Sequence, residues 1–140
     1  MKIITGKQER YQKVVVYGPE GIGKSTFAAH FPKPLFIDTE ASTAHMDVAR
    51  LERPTSWAVL MEYVQELTKD HQGFTTLVID TIDWAEQLCV QHICSKYQVG
   101  GIEDIGYGKG YVYEKEEFGR LLNKLQDLIE SGMNVVLTAH

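Results

Sequence analysis

The residues best suited to chemistry form a glycine-rich stretch near the start of the chain, from Gly18 to Ser25. It reads Gly-Pro-Glu-Gly-Ile-Gly-Lys-Ser and matches the spacing G-x-x-x-x-G-K-[ST] of a phosphate-binding loop. Glycine lets the backbone wrap and point successive N–H groups at phosphate oxygens, and the helix that follows adds its positive end. The predicted nucleotide site consists of Gly18, Pro19, Glu20, Gly21, Ile22, Gly23, Lys24, Ser25 and Thr26.

Three side chains at the end of this loop are suited to a nucleoside triphosphate and its metal ion. Lys24 is placed to neutralise the β- and γ-phosphates, the Ser25 hydroxyl can ligate Mg²⁺, and Thr26 can donate to the α-phosphate. A chance match in an ordinary strand-turn-helix is the alternative, because the pattern fixes few positions. The β-branched strand before the loop and the helix-compatible stretch after it favour the nucleotide site.

Two carboxylates further along the chain could complete such a site. The apolar run Thr76–Ile79 ends at Asp80, which would hold the metal ion beside the loop, directly or through water. Glu40 lies just past a second predicted strand, at the sheet edge where open α/β folds bind ligands, and is our choice for the base that orients water. The alternatives are an ordinary turn aspartate at 80 and a surface carboxylate at 40. The rival bases, which we instead expect to be solvated first-turn helix acids, are Asp83 and Glu86.

These residues are carried by alternating strands and helices, a pattern that predicts a layered α/β fold. Strands are predicted at four apolar, β-branched runs: Gln12–Tyr17, Leu35–Ile37, Thr75–Ile79 and Asn134–Thr138. Helical periodicity predicts four helices: Lys24 to about His30, a second from Pro54–Ser56 onward, about Asp83–Tyr97, and about Tyr113–Ser131. We expect irregular or briefly helical structure up to Arg53, and a loop over the glycine-rich span Gly100–Gly110.

The composition agrees with one soluble domain. The chain has 140 residues, 44% hydrophobic and 24% charged, values typical of a globular protein with its own core. The net charge of −5 excludes a global basic field for nucleic acid but not a local patch. Two cysteines are too few for a disulfide scaffold, no apolar run is long enough to span a bilayer, and the first residues do not resemble a signal peptide. We therefore expect one intracellular domain, residues 1–140, without a membrane segment.

Three segments together resemble the ATPase core of RecA-like recombinases: the phosphate-binding loop, Phe36-Ile37-Asp38-Thr39-Glu40, and Val78-Ile79-Asp80-Thr81. The chain is similar to short RecA-like ATPases of phages, described as nucleotide-binding proteins or single-strand annealing ATPases, and the likeness runs from Lys13 to His140. The resemblance implies a three-layer P-loop NTPase fold with a mainly parallel sheet, in which the fourth strand lies between the first and the third. It also implies ATP and Mg²⁺ as cofactors.

The same resemblance implies roles for individual residues. Glu40 falls where the family has its water-activating glutamate, and Asp80 falls on the Mg²⁺-associated aspartate. His140 falls where recombinases commonly carry a glutamine that senses the γ-phosphate, and a neutral imidazole can still donate one hydrogen bond there. The implied catalytic set is therefore Glu40, Lys24 and His140, with Ser25 and Asp80 at the metal ion.

The family also implies single-stranded DNA as a partner, contacted by the glycine-rich span. Tyr107 and Tyr111 could stack bases and Lys109 could meet a phosphate, whereas Glu103 and Asp104 oppose DNA. The alternative is a flexible connector whose tyrosines close onto the fold. We further expect a homo-oligomer when full length, a phage or prophage gene, and a cytoplasmic location in a bacterial host. Any arginine finger would come from a neighbouring subunit.

Two expectations concern the extent and the activity of the chain. The strand Asn134–Thr138 is nearly all apolar and runs into His140, so we expect a domain that is incomplete at its C-terminus, after the fourth core strand. The leading functional hypothesis is a Mg²⁺-dependent ATPase that acts on single-stranded DNA in phage-type recombination or annealing. The alternatives are a non-catalytic, ATP-switched recruitment module of a replication or recombination complex, and a small-molecule kinase. A kinase predicts an arginine-bearing lid, and the few arginines of this chain do not cluster.

Overall fold

The computed structural model describes residues Met1 to His140 and contains one sheet of five parallel strands flanked by four helices. The strands are β1 (Lys13–Tyr17), β2 (Pro34–Asp38), β3 (Ala49–Arg50), β4 (Thr76–Asp80) and β5 (Asn134–Ala139). The helices are α1 (Lys24–Ala29), α2 (Trp57–Lys69), α3 (Ile82–Tyr97) and α4 (Lys109–Ser131). Two short 3₁₀ turns lie between α3 and α4, at Ile102–Asp104 and Gly106–Gly108.

The strand order is β1-β5-β4-β2-β3, so β5 lies inside the sheet. It pairs with β1 on one side, through Val14 and Val136, and with β4 on the other, through Val78 and Val136. This confirms the expected position of the fourth predicted strand. Because all pairings are parallel, the carboxyl ends of the strands share one edge, which is where open α/β sheets bind ligands.

The central strands are apolar on both sides because helices cover both faces of the sheet. Ile37, Ile79 and Leu137 face the larger core, into which α2 and α4 insert leucines at helical spacing. The opposite face has a smaller core: Ala28, Phe36, Val78 and Val136. Full burial of one such large side chain contributes about 1.5–3 kcal/mol, so the two cores hold the strand ends in place. None of the four helices has the length and apolar character needed to cross a bilayer.

Two segments differ from the sequence prediction. The strand β3 extends the sheet where the sequence predicts irregular or helical structure, because Ala49 and Arg50 pair with β2 and not because of local propensity. The span predicted as a loop folds into the 3₁₀ turns and the start of α4, which begins at Lys109 and not at Tyr113. Gly110 permits this packing, since a Cβ atom there would lie 2.2 Å from the carbonyl oxygen of Ile102.

Candidate active site

A cavity of about 340 Å³ opens at the carboxyl edge of the sheet, between the loop after β1 and the ends of β2, β4 and β5. Met46 is the one hydrophobic residue that lines it. Its walls consist of Glu20, Gly21, Gly23, Lys24, Ser25, Thr26, Glu40, Ser42, His45, Met46, Asp80, Thr81 and His140. Six residues of the predicted nucleotide site therefore share one cavity with both predicted carboxylates and with His140.

The phosphate-binding loop joins β1 to α1 and bends at two left-handed glycines. Gly21 and Gly23 have φ angles of +83° and +99°, a conformation that residues with a Cβ atom rarely adopt. The carbonyl of Gly23 accepts the N–H of Phe27 at 2.9 Å, which starts the first turn of α1. The bend presents the residues from Lys24 onward to the cavity. Three loop residues do not line it: Gly18, Pro19 and Ile22.

Lys24 is nearly buried, with 8% of its surface exposed, and the loop itself holds its ammonium group. The ammonium donates to the carbonyl oxygen of Gly18, and it lies 3.4 Å both from that of Pro19 and from Nδ1 of His140. An ammonium group has no lone pair, so Nδ1 must accept, and the proton of a neutral His140 resides on Nε2. Lys24 thus links the loop to the end of β5.

Ser25 and Asp80 meet at the place where the sequence predicts a metal ion. The Ser25 hydroxyl donates to Oδ2 of Asp80 at 2.5 Å, and the Thr138 hydroxyl donates to Oδ1 at 2.6 Å. Thr138 lies opposite Asp80 in the register of β4 and β5, so the sheet itself orients the carboxylate. A hydroxyl and a carboxylate are the hard oxygen donors that Mg²⁺ prefers, and in nucleotide sites phosphate oxygens and waters complete its shell. The donor set therefore fits Mg²⁺.

A pair of threonines ties the end of β2 to the end of β4. The Thr39 hydroxyl lies 3.1 Å from the carbonyl oxygens of Asp80 and Thr81, and it accepts the N–H of Thr81 at 2.9 Å. The N–H of Thr39 also donates to the carbonyl of Asp80 at 2.9 Å. The peptide bond between Asp80 and Thr81 is cis. The contacts of Thr39 hold the next residue, Glu40, at the cavity that Asp80 also lines.

Glu40 is half-buried, and only one of its carboxylate oxygens makes hydrogen bonds within the protein. Oε1 accepts the Thr81 hydroxyl at 2.8 Å and lies 3.4 Å from Nε2 of His140. The Thr81 oxygen also accepts the N–H of Trp84 as the N-cap of α3, so its own proton is directed to Glu40. Oε2 makes no hydrogen bond to the chain and is therefore available to bind water in the cavity.

Asp38 shapes the segment that carries Glu40. Its carboxylate accepts the N–H groups of Glu40, Ser42 and Thr43, and the Thr43 hydroxyl as well. Burial by itself raises the pKa of Asp38, but the hydrogen bonds from Thr43, Ser42 and Glu40 outweigh it and hold the pKa below its usual value. Asp38 thus acts as a buried anion that closes a tight turn, in which Ala41 has a φ of +58°.

The end of β5 is fixed by α3. The N–H of His140 donates to Oδ2 of Asp83 at 2.9 Å, and Asp83 does not line the cavity. This corrects the expectation of a solvated first-turn acid, because Asp83 is half-buried and positions His140. Glu86 is exposed and also lies outside the cavity, as expected for a solvated helix residue.

The aromatic residues of the span 100–111 lie on the surface. Tyr107 is 99% exposed and has a φ of +58°, and Tyr111 is 58% exposed. Lys109 is exposed as well, at the first residue of α4. Their exposure contradicts the alternative in which these tyrosines close onto the fold.

Sequence reasoning gave no role to three supporting residues: Asp38, Thr81 and Thr138. Two of them carry a signal that could have been used. Thr81 directly follows a strand-ending aspartate and precedes a helix, which is a typical N-cap position, and Thr138 is a hydroxyl in an otherwise apolar strand. Three further residues line the cavity, and no sequence pattern marks them: Ser42, His45 and Met46.

Comparison with known proteins identifies the family of the chain. Residues 10–140 match the family model of an AAA domain. The chain is also 25% identical over 133 residues to the SPbeta prophage-derived uncharacterized protein YorG of Bacillus subtilis (strain 168). That match covers 91% of this chain but only 40% of the relative, so the chain spans less than half of the relative's length. Because the family model covers nearly the whole chain and the phosphate-binding loop lines the cavity, the chain belongs to the AAA domain family of P-loop nucleotide-binding proteins.

Proposed function

We propose that this chain is the ATP-binding and ATP-hydrolysing domain of a Mg²⁺-dependent ATPase that acts on single-stranded DNA in phage-type recombination or annealing. The observation that carries the proposal is the meeting of Lys24, the Ser25–Asp80 pair and Glu40 in one cavity. Membership of the AAA domain family supports nucleotide binding there. These residues are the parts that phosphoryl transfer needs: a cation for the phosphates, oxygen donors for a metal ion, and a carboxylate for water.

Lys24, Ser25 and Asp80 would bind the phosphates and the metal ion. Ser25 and Asp80 would hold Mg²⁺, which when bound neutralises charge on the β- and γ-phosphates. Lys24 would exchange its contacts with loop carbonyls for contacts with phosphate oxygens, which are stronger because both partners are charged. The loop N–H groups before α1 would bind the remaining phosphate oxygens.

Glu40 would act on the attacking water. Its Oε1 accepts from Thr81 and approaches Nε2 of His140, so the carboxylate plane is held and Oε2 is the oxygen available to water. A carboxylate in this position can orient the attacking water and take its proton. Glu40 is therefore the proposed catalytic base, and Thr81 is the residue that positions it.

His140 is the proposed γ-phosphate sensor. One imidazole ring approaches Lys24 through Nδ1 and Glu40 through Nε2, each at 3.4 Å. When Lys24 moves to a phosphate, Nδ1 loses its partner and the ring is free to change its contact with the base. This bridging position supports a sensor role, because it connects the phosphate-binding side chain to the water-binding one.

The proposed contact with single-stranded DNA rests on the exposed tyrosines before and within the first turn of α4. Tyr107 and Tyr111 can stack on bases, which stabilises binding by about 1–3 kcal/mol per base, and Lys109 can meet a phosphate. With a net charge of −5, the chain needs such local contacts and cannot rely on a general basic surface.

The assembly and setting are proposals as well. No arginine lines the cavity, so we propose that a homo-oligomer places an arginine of a neighbouring subunit at the γ-phosphate. The prophage origin stated for the Bacillus subtilis relative supports a phage or prophage gene that acts in the cytoplasm of a bacterial host.

The test is steady-state ATP hydrolysis with and without Mg²⁺ and single-stranded DNA, on this chain and on the product of the whole gene. We expect Mg²⁺-dependent release of phosphate that DNA stimulates and that Glu40→Gln abolishes. Glu86→Gln is the matched control, because this glutamate is exposed and lies outside the cavity. Hydrolysis that DNA does not change in the whole gene product would refute the DNA-dependent part of the proposal.

A non-catalytic, ATP-switched recruitment module is the second candidate, and the absence of a lining arginine favours it. This candidate predicts tight ATP binding, measured by calorimetry, with negligible turnover even when DNA and a high protein concentration are present. The leading proposal predicts turnover under those conditions, so a single preparation distinguishes the two.

A further inference from the structure

The imidazole ring of His140 lies between a cation and an anion. Its Nδ1 is 3.4 Å from the ammonium nitrogen of Lys24, and its Nε2 is 3.4 Å from Oε1 of Glu40. Because Nδ1 accepts from the ammonium group, the ring is neutral here and its single proton lies on Nε2. An imidazolium ion would turn an N–H group toward the ammonium group, so Lys24 opposes a second proton on the ring.

The other charged groups around the ring do not oppose a second proton in this way. The remaining titratable residues of the cavity and of the start of α3 are three carboxylates and one histidine: Glu20, Asp80, Asp83 and His45. Asp83 accepts the main-chain N–H of His140 at 2.9 Å, which holds the end of β5 in place. Lys24 is the one permanent cation of the set, whereas every carboxylate favours a positive charge on the ring.

Binding of a triphosphate removes the opposition of Lys24. This step rests on the proposed function, in which Lys24 leaves the loop carbonyls for phosphate oxygens. Nδ1 then loses its donor, and the phosphate neutralises the charge of the ammonium group. The bond to Asp83 keeps the main chain of His140 in place, so its ring stays at the cavity and beside Glu40. The free nitrogen of the ring is thereby left among anions.

We propose that His140 takes up a proton when the chain binds a nucleoside triphosphate and becomes the second cation of the nucleotide site. The imidazolium ion donates from Nδ1 to a phosphate oxygen and from Nε2 to Oε1 of Glu40, so one ring joins the substrate to the base. The proton comes from the solvent and returns to it when phosphate leaves. Histidine suits this task because its charge changes between about pH 5 and pH 8. No arginine lines the cavity to supply this charge instead.

The matched variant for this proposal is His140→Gln. The glutamine amide both donates and accepts hydrogen bonds, but it does not carry a charge. The variant therefore keeps a polar side chain at the end of β5 and removes only the ability to bind a proton. Any difference in proton uptake between the wild type and this variant then belongs to the imidazole ring.

The first test is calorimetric titration of this chain, and of the product of the whole gene, with a non-hydrolysable ATP analogue and saturating Mg²⁺. Titrations in HEPES and in Tris at about pH 7.5 give the number of protons taken up, because the two buffers release protons with different heats. We expect the wild type to take up as much as about one proton per nucleotide more than His140→Gln. Equal uptake by the two proteins would overturn the proposal.

Two further histidines serve as controls for the assignment. His45 lines the same cavity, and His30 is exposed outside it at the end of α1. His45→Gln and His30→Gln should both keep the proton uptake of the wild type. Uptake that is lost in His45→Gln and kept in His140→Gln would overturn the proposal, because the proton would then belong to the other histidine.

Proton uptake also fixes the direction in which affinity depends on pH. The proton is bound only in the complex, so a rise in pH weakens nucleotide binding. Between about pH 7 and about pH 8 the Kd of the wild type should rise severalfold more than that of His140→Gln, with about tenfold as the limit for one proton. Parallel pH dependence in the two proteins would contradict the proposed uptake.

The second test observes the ring itself, by nitrogen-15 NMR of His140 at the pH of the titrations. Without nucleotide the spectrum should show a neutral ring with its proton on Nε2, and with the analogue and Mg²⁺ it should show protons on both nitrogens. A ring that stays neutral in the complex overturns the proposal and leaves the proposed ATPase standing. A protonated ring in a chain that never hydrolyses ATP supports the uptake and refutes the ATPase instead.

Discussion

The nucleotide cavity has two sides that hold their residues by different means. The strand side (residues 38–43, 80, 81 and 138) is held by side-chain hydrogen bonds between separate elements, as in Ser25–Asp80–Thr138 and Thr81–Glu40. The loop side (residues 18–24) depends on two left-handed glycines, and its only long-range side-chain partner is His140. The hydrogen bonds of the strand side join groups of the protein that the sheet fixes, so this side is arranged before a ligand arrives. The loop side has a lysine held by carbonyls and is completed only when phosphate replaces them.

The difference indicates that the two sides have separate tasks: the strand side acts on water and the metal ion, and the loop side binds phosphate. Groups that must act on water or a metal ion are fixed in advance, which removes the cost of ordering them during the reaction. Groups that bind phosphate are left able to exchange partners. Substitutions on the strand side should therefore affect turnover or stability, and substitutions on the loop side should affect binding.

The largest effect is expected from Glu40→Gln on the strand side. The amide cannot take a proton from water, so kcat should fall by about 10²–10⁴-fold. ATP affinity, measured by equilibrium binding, should change little. A large loss of ATP affinity in this variant would contradict the separate tasks of the two sides, because it would place Glu40 among the phosphate ligands.

Lys24→Ala should have the next largest effect, and this effect should be on ATP affinity. Loss of a charge-assisted hydrogen bond of about 1.5–3 kcal/mol predicts roughly 10–100-fold weaker ATP binding. Isothermal titration calorimetry measures this directly, with the exposed Lys69→Ala as the control. Unchanged affinity would show that Lys24 remains with its carbonyl partners when nucleotide binds.

Thr81→Val sharpens the comparison, because it removes the contact that positions Glu40 without touching the loop. We expect kcat to fall about tenfold with KM nearly unchanged, and Thr81→Ser to restore it because serine keeps the hydroxyl. The same change removes the N-cap of α3, which costs about 1 kcal/mol of stability. Ser56→Ala removes the corresponding cap of α2 far from the cavity, so it should cost similar stability without lowering kcat. Equal losses of kcat in the two cap variants would refute a positioning role for Thr81.

Asp38→Asn should give the smallest effect on activity and a clear effect on stability. Because the folded-state pKa of Asp38 is lowered, its carboxylate stabilises the fold above the ordinary aspartate pKa of about 3.9, and this contribution disappears as the pH falls through the lower folded value. The variant should lose about 1–3 kcal/mol at pH 7 and depend less on acid than the wild type. Urea unfolding from pH 7 to about pH 3 tests this. Asp127→Asn, at an exposed position, should keep the acid dependence of the wild type.

The parts of the protein that sequence could predict are those determined locally. The phosphate-binding loop is a contiguous motif, and β4 is an apolar run that ends at Asp80, so neither needs knowledge of distant residues. The contact between Thr138 and Asp80 depends on the register of two strands that are far apart in the chain, and no local pattern contains that register. Likewise, β3 forms because it pairs with β2, and α4 begins at Lys109 where Gly110, in its first turn, lets Ile102 approach closely. In both cases tertiary contact overrides what glycine content or propensity indicates.

The position of β5 has a consequence for how the protein is made. β1 pairs only with β5, and the contact of Gln12 with Asn134 joins residues 122 positions apart. During synthesis, β1 therefore leaves the ribosome long before β5 does, and its valines stay without a paired strand until β5 has been made. Such long-range parallel pairing is slow, and an unpaired apolar strand can aggregate or bind a chaperone. β5, which completes this pairing, also brings Thr138 and His140 to the cavity. A nascent chain consequently cannot assemble the cavity before its sheet has closed.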